Sequence, residues 1–362
     1  MNKQWLSKID RYIIKKFLGT FVFSIALIIT ISVVFDINEK IDAFLKPEVR
    51  LKDIIFDYYL NFIPYYANLF SPLFVFIAVI FFTSKLAENS EIIAMLSTGM
   101  SFKRLMKPYV ISAAIIGVIT FIFNSFIIPP GNLKRIDFQS KYIKNNRVEY
   151  AESIQLEIEK GVYIFINSFN TVSKTGYQFS MDKFKKSDLV SRLTAERITY
   201  DSVNHWTLYN YKIRSFRGMY EKDTTGMQID TVINISPLDL VVSKSDAETM
   251  TTPELTSYIN RQRERGTGNA TQFDIERHKR YASIFSAFIL TIIGASLSSR
   301  KMKGGMGFNI AIGLGLSFGY ILFMTVTSTF AVSGAMPPWL AAWIPNIVFV
   351  LIAIYLYKKA PQ

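Results

Sequence analysis

The residues best suited to a specific interaction lie in one short segment, residues 87–100, which reads AENSEIIAMLSTGM. Asn89 or Ser90 can cap a helix that has Glu91 in its first turn, and Gly99 suits the position just after the helix. The apolar face of this helix consists of Ile92, Met95 and Leu96. Such a helix beside a membrane segment either lies on lipid or docks a cytoplasmic protein.

Charge favours the second of these two interpretations. Helices that lie on a membrane usually carry Lys or Arg on the polar face, whereas this helix carries Glu88 and Glu91. An anionic leaflet repels such acids. We therefore predict a docking helix for a cytoplasmic protein.

A second set of candidates comprises cations near the ends of apolar segments. They are Lys40, Lys134, Arg135, Lys279 and Arg280. Arg and Lys at the rim of a lipid cavity can pair with phosphates or carboxylates of an amphiphile. The alternative is that they neutralise nearby acids, namely Glu39, Asp42, Asp137 and Glu276.

Several kinds of chemistry have no support in the sequence. The chain has no Cys and only two His, so thiolate or His-based metal sites and Cys nucleophiles are not expected. It has no G-x-x-x-x-G-K-[ST] loop, no G-x-S-x-G elbow, and no acid within residues 281–299 or 304–357. We expect no catalytic residues, no metal and no cofactor, and any work on a substrate must draw its energy from a partner.

These candidates are positioned by long apolar segments. Residues 17–35, 58–84, 108–133, 281–299 and 304–357 carry no charge. A bilayer core needs about 20 apolar residues per helix, so the last stretch, with Ser333-Gly334-Ala335-Met336-Pro337-Pro338 at its middle, predicts two helices and a turn. The sequence therefore predicts six membrane helices, three before a polar middle segment and three after it.

The distribution of Lys and Arg predicts the orientation. Four groups of cations fall on one side of the membrane, and they are Lys3 to Lys16, Lys85 to Lys107, Arg300 to Lys303, and Lys358 with Lys359. The positive-inside rule places both termini in the cytoplasm and the middle segment outside. The net charge of +13 largely reflects this bias, so we expect membrane lipid and not nucleic acid as the partner.

The middle segment predicts an antiparallel β domain. Alternating residues indicate strands at 154–159, 162–166, 177–184, 192–200, 206–216 and 227–235. This spacing favours a sandwich or jelly roll. Trp206 is either a ligand-stacking aromatic or, as the strand pattern favours, a core residue. We divide the chain into residues 1–133 (helices one to three), 134–250 (the β domain, a sandwich or jelly roll), 251–280 (connector helix and linker) and 281–362 (helices four to six).

The chain resembles the LptF/LptG permeases of the lipopolysaccharide exporter over nearly its full length. The resemblance rests on Ile9-Asp10-Arg11-Tyr12, Asn89-Ser90-Glu91 through Ser97-Thr98-Gly99, Gly305-Met306-Gly307, Ser317-Phe318-Gly319-Tyr320, and Pro337-Pro338-Trp339 through Pro345-Asn346. The Asp-Arg-Tyr start and the Pro-Pro turn are more similar to the LptG half.

The resemblance implies an α+β membrane protein of the Gram-negative inner membrane, with six transmembrane helices and an inserted periplasmic jelly roll. Its partners would be a second LptF/LptG-type permease, a cytoplasmic LptB-type ATPase dimer, LptC/LptA-type periplasmic bridge proteins, and lipopolysaccharide. The helix near residues 87–100 would be the coupling helix, and its contacts would include Glu88, Ser90, Glu91, Met95, Leu96 and Gly99.

The resemblance also implies a lipid cavity formed mainly by helices one and five of both permeases. The cations named above and, on helix five, Phe318 and Phe323 would line it. This chain has Asp36 near the outer end of helix one, where such permeases can carry a Lys, and the nearest cation is Lys40. Two other hypotheses remain: another ATP-driven permease for lipids or amphiphiles, and a membrane-anchored sensor or scaffold that transports nothing.

Overall fold

The computed structural model describes residues 7–143, 150–185, 188–202, 204–217, 220–240, 244–264, 270–299 and 305–360. Within these ranges six helices are long and apolar enough to cross a membrane, which confirms the predicted number. They are Lys8–Phe44, Ser71–Glu88, Phe102–Ile143, Ala270–Ser298, Met306–Val332 and Pro338–Lys359. The chain divides into two compact units, one that holds these candidate spans and one that holds the β-sheet.

The α-helices before the sheet are α1 Lys8–Phe44, α2 Leu51–Asp53, α3 Leu60–Leu69, α4 Ser71–Glu88, α5 Glu91–Ser97, α6 Phe102–Ile122 and α7 Ile128–Phe138. Those after the sheet are α8 Pro237–Leu240, α9 Lys244–Thr249, α10 Thr252–Glu264, α11 Ala270–Ser298, α12 Gly305–Val332 and α13 Pro338–Lys359. The predicted turn between the last two spans is present, with Gly334 at φ +80°. The predicted cations Lys3, Arg300, Lys301 and Lys303 lie outside the described residues, and so do residues 265–269 of the predicted linker.

Helix α4 forms the centre of the membrane unit, and 72% of its most apolar stretch is buried. Two glycines allow other helices to pack closely against it. A Cβ atom at Gly294 of α11 would lie 2.1 Å from Cγ1 of Val79, and one at Gly313 of α12 would lie 2.1 Å from Cδ1 of Ile80. Gly315, by contrast, has no atom within 4 Å of such a position. The two glycines of α12 therefore lie on different surfaces. Gly313 packs against α4, whereas Gly315 faces open space.

Three π-helical segments adjoin α3 and α7, one before α3 and one on each side of α7. They are Ile54–Tyr59, Phe123–Ile127 and Gln139–Ile143. The wider turn leaves carbonyl groups to be satisfied, and the Asn61 side chain donates to the carbonyls of Phe56 and Asp57 at 3.0 and 2.9 Å. The same side chain lies against Gly131, where a Cβ would come within 2.5 Å of Oδ1 of Asn61.

The six described strands form one antiparallel sheet, and the antiparallel β domain is therefore confirmed. The strands are β1 Tyr150–Glu159, β2 Val162–Asn170, β3 Thr175–Lys185, β4 Asp188–Ser202, β5 His205–Arg217 and β6 Tyr220–Val232. They pair in chain order. A jelly roll needs strands that cross between two sheets. The described strands make a meander instead, because each strand pairs with the next one along the chain. The described turn between β1 and β2 contains Gly161, with φ +81°.

The sheet has a buried apolar face and a charged exposed face. Trp206 is fully buried and donates from Nε1 to the carbonyl of Ile235 at 3.1 Å, so it is a core residue. On the other face Arg192 forms a two-point ion pair with Asp182, at 2.7 Å for both hydrogen bonds. These two residues are direct partners across β3 and β4.

Candidate functional site

The predicted docking helix exists as α5, a two-turn helix between α4 and α6. The chain turns into it at Ser90, whose φ of 60° is left-handed, and the side chain of Ser90 makes no capping hydrogen bond. Neither candidate cap therefore acts in the predicted way. The other end agrees with the sequence, since Gly99 follows the C-cap Thr98 with φ +87°. Glycine adopts that conformation at little cost.

The apolar face of α5 packs against the protein's own core. Ile92 is buried, and Met95 and Leu96 are partly buried against the same cluster. The exposed face instead presents Ile93, whose side chain is 57% exposed, with Ala94 beside it. The sequence analysis missed these two residues. The doublet of isoleucines was the available signal, because consecutive helical residues point about 100° apart and both cannot face one core.

Both acids of the segment have hydrogen-bond partners, and neither has an ion-pair partner within the described residues. Oε1 of Glu88 accepts a hydrogen bond from the backbone N–H of Met306, in the first turn of α12, at 3.0 Å. Glu91 accepts from Asn89 at 3.2 Å and, at 3.4 Å, from the hydroxyl of Tyr12. The negative charge of Glu91, on α5, thus remains available to a cation from another molecule.

Directly after α5, the start of α6 is joined to the start of α1. Arg104 donates from Nη1 and Nη2 to the two carboxylate oxygens of Asp10, at 2.7 and 2.8 Å. Asp10 also closes a capping box with Ser7 at the beginning of α1. This pair was not predicted, because the two residues lie far apart in the sequence.

Among the predicted lipid-binding cations, Lys40 has its charge compensated within the fold. It forms an ion pair with Asp36, one helical turn earlier, and donates to the Tyr58 hydroxyl at 2.6 Å. Tyr59 donates to the other oxygen of Asp36 at 3.0 Å. Asp36, rather than Glu39 or Asp42, is the acid that neutralises this cation.

Arg135 has a different environment. Its side chain is buried, donates to Oδ1 of Asn132 at 2.8 and 2.6 Å, and stacks 4.4 Å from the ring centroid of Tyr65. Within the described residues no carboxylate pairs with Arg135. The fully buried Asn132 also keeps its Nδ2 donor without an acceptor in that part of the chain. Tyr65 itself donates to Glu248 at 2.9 Å.

The remaining candidates have different surroundings. Arg280 is buried and donates to Glu276 and to Thr252, at 3.1 Å each. Lys134 is exposed and Lys279 partly exposed. On α12, Phe318 is 51% exposed and Phe323 packs against the core. Within the residues searched, no three His, Cys, Asp or Glu side chains lie close enough together to hold a metal ion.

Comparison with protein-family models gives a match. The family model described as the lipopolysaccharide export system permease LptF/LptG matches residues 11–359, nearly all of the 362 residues. A search of curated proteins finds no match. The matched range contains α5, the whole sheet and the six candidate spans, except the first three residues of the first span, so the fold and the family agree. The chain belongs to the LptF/LptG family of lipopolysaccharide export permeases.

Proposed function

We propose that this permease is one of two such subunits in an ATP-driven exporter, and that a cytoplasmic ATPase of the LptB type docks on α5 and supplies the energy. The exposed face of α5 carries this proposal. It combines an apolar side chain, Ile93, with the acid Glu91, on a helix whose other face is fixed to the core. A partner with an apolar groove rimmed by Arg or Lys would match it.

Copurification tests the docking. Burying an Ile side chain contributes about 1.5–3 kcal/mol, so Ile93→Asp should weaken binding of the ATPase at least about tenfold. Leu45→Asp is the matched control. Leu45 is 74% exposed and follows the C-terminal end of α1, whereas the N-terminal end of α1 is the one joined to the start of α6, next to α5. We expect the ATPase and a second permease to copurify with the parent and with Leu45→Asp. Equal recovery with Ile93→Asp would refute docking on α5.

The same experiment separates the alternatives. Mass spectrometry of the purified material should find lipopolysaccharide if this chain transports it. A different lipid together with an ATPase would favour another amphiphile permease. A lone chain with ordinary phospholipid would favour an anchored sensor or scaffold.

We further propose that the protein lies in the inner membrane with both termini and α5 in the cytoplasm and the sheet in the periplasm. The cations near the start of α1 and the end of α13, such as Lys15, Lys16, Lys358 and Lys359, support this orientation. Since the natural chain has no Cys, single cysteines at Ser97 and Thr224 can report it. A membrane-impermeant maleimide added to cells whose outer membrane is permeable should label Thr224→Cys and spare Ser97→Cys; the opposite pattern would invert the topology.

For the lipid, we propose that Arg135 and Asn132 bind a phosphate or carboxylate of the head group by donating hydrogen bonds to it. A buried cation without an anionic partner costs several kcal/mol, and a buried amide donor without an acceptor costs about 1–3 kcal/mol. An anionic oxygen would satisfy both donors. Lys40 is the weaker candidate, because Asp36 already neutralises it. The sheet would then pass the lipid to LptC/LptA-type bridge proteins, and the Pro-Pro turn favours the LptG half for this chain.

Native mass spectrometry of the purified complex tests the head-group site. Arg135→Gln should lower the fraction of complexes that retain lipopolysaccharide, while Lys134→Gln, at the exposed neighbouring position, should change it little. Equal retention by both variants would remove Arg135 from the site.

A further inference from the structure

The α5 segment is bounded by two side chains, and each of them holds the end of a different membrane helix. On the α4 side, Glu88 accepts a hydrogen bond from the Met306 N–H in the first turn of α12. On the α6 side, Arg104 holds Asp10 in the first turn of α1. Thus α5 is connected at both flanks, by side chains, to helices that are distant in the sequence.

The connection to α12 continues along α4. One turn before Glu88, the Ser84 hydroxyl accepts a hydrogen bond from Nδ2 of Asn309 at 3.1 Å. One turn earlier again, Ile80 lies in the space that Gly313 leaves open. Three successive turns of α4 therefore contact three successive turns of α12. A displacement of the α4 end next to α5 cannot leave the start of α12 in place without breaking these contacts.

The connection to α1 is a charge-assisted two-point pair. Asp10 is 1% exposed, and its carboxylate accepts from both terminal nitrogens of Arg104 as well as from the backbone N–H of Ser7, at 2.8 Å. The planar guanidinium fixes orientation as well as distance. The start of α6 and the start of α1 consequently move as one piece.

The two helices reached in this way share one property. Of the six candidate spans in the described part of the chain, α1 and α12 are the least buried, with 17% and 22% of their most apolar stretches covered. They therefore offer the largest apolar surfaces to lipid or to another subunit.

We infer that Glu88 and Arg104 are positioning residues that transmit movement of α5 to α12 and α1 respectively. This inference rests on the proposed function, in which an ATPase docked on α5 supplies that movement. Glu88 acts as the cap of α12 and not as a contact of the ATPase. Arg104 acts through Asp10.

The test uses the full complex reconstituted in lipid vesicles, and measures bound ATPase, ATP hydrolysis, and lipopolysaccharide moved per ATP. The variants are Glu88→Ala and Arg104→Gln. Glu88→Gln keeps an oxygen that can accept from Met306, and Lys103→Gln removes an exposed neighbouring cation that has no described partner. Loss of a helix cap shifts the equilibrium between the connected and the disconnected arrangement of the two helices about fivefold. We therefore expect Glu88→Ala and Arg104→Gln to lower transport per ATP about fivefold. Bound ATPase and ATP hydrolysis should stay near the parent values. Glu88→Gln and Lys103→Gln should resemble the parent.

Asp10→Asn supplies an independent measurement. If Arg104 acts through Asp10, the double variant Asp10→Asn/Arg104→Gln should lower transport per ATP no further than either single variant does. Unchanged transport per ATP in Glu88→Ala and Arg104→Gln would overturn the inference, and so would additive losses in the double variant. Loss of bound ATPase from Glu88→Ala but not from Glu88→Gln would make Glu88 a docking residue and overturn its assignment as a cap. Absence of an ATPase from the parent complex would instead refute the proposed function.

Discussion

Substitution of alanine for single glycines should separate the two surfaces of the membrane unit. At Gly294 the new methyl group would lie 2.1 Å from Cγ1 of Val79, a β-branched residue that has little rotamer freedom in a helix. At Gly313 it would lie equally close to Cδ1 of Ile80, which is the flexible end of its side chain. At Gly315 it would meet no atom within 4 Å.

These distances rank the three variants. Replacing glycine by alanine within a helix gains about 0.5–1 kcal/mol, whereas overpacking a close contact costs about 1–3 kcal/mol. Gly315→Ala should therefore stabilise the chain by up to about 1 kcal/mol. Gly294→Ala should destabilise it by up to about 2.5 kcal/mol. Gly313→Ala should lie between them, because the end of Ile80 can turn away.

Thermal unfolding of the purified chain in one detergent, followed by tryptophan fluorescence, measures this ranking. Val79→Ala removes the methyl group that Gly294→Ala would strike, so the double variant should be more stable than the two separate losses predict. A melting temperature of Gly294→Ala at or above that of Gly315→Ala would refute the reasoning. So would strict additivity of Gly294→Ala and Val79→Ala.

Two further predictions concern the sheet. Trp206→Phe should cost about 1–3 kcal/mol of stability, because it leaves the buried carbonyl of Ile235 without its donor, and chemical unfolding of the purified chain measures this loss. Lys212 and Arg214 lower the pKa of the exposed Asp223 by hydrogen bonding to its carboxylate. This carboxylate therefore contributes stability that is complete above the usual Asp pKa of about 4 and disappears as the pH falls through the lower native value. The melting temperature of Asp223→Asn should lie slightly below that of the parent at pH 7 and converge with it once the pH falls below the lowered native pKa of Asp223; a constant gap would contradict the assignment.

The sequence predicted the features that depend on local pattern. Long uncharged segments predicted six membrane helices, alternation predicted the strands, and Gly99 marked the end of α5. Trp206 was expected in the core because its strand alternates. The meander differs from the expected jelly roll, because strand patterns alone do not specify which strands pair.

Long-range partners were beyond sequence reasoning. Asp10 and Arg104 are both common charged residues near helix starts, and no local pattern relates them. The partner of Lys40 was accessible in principle, because Asp36 lies one helical turn away, at the spacing that places side chains on one face. The faces of α5 depended on which isoleucine the core would cover, and only the packed structure resolves that.

The stability of α5 and its proposed role depend on the same contacts. An isolated helix of two turns is not stable in water, so α5 is ordered by what surrounds it. Ile92, Met95 and Leu96 fasten it to the core, while Glu88 and Arg104 fasten its flanks to α12 and α1. Met95 and Leu96 would then serve a docked ATPase indirectly, by holding the exposed face in place. A helix that had its own stability could yield to a partner without moving the rest of the protein; α5 has no such independence, and a force on its exposed face must therefore be transmitted to its neighbours.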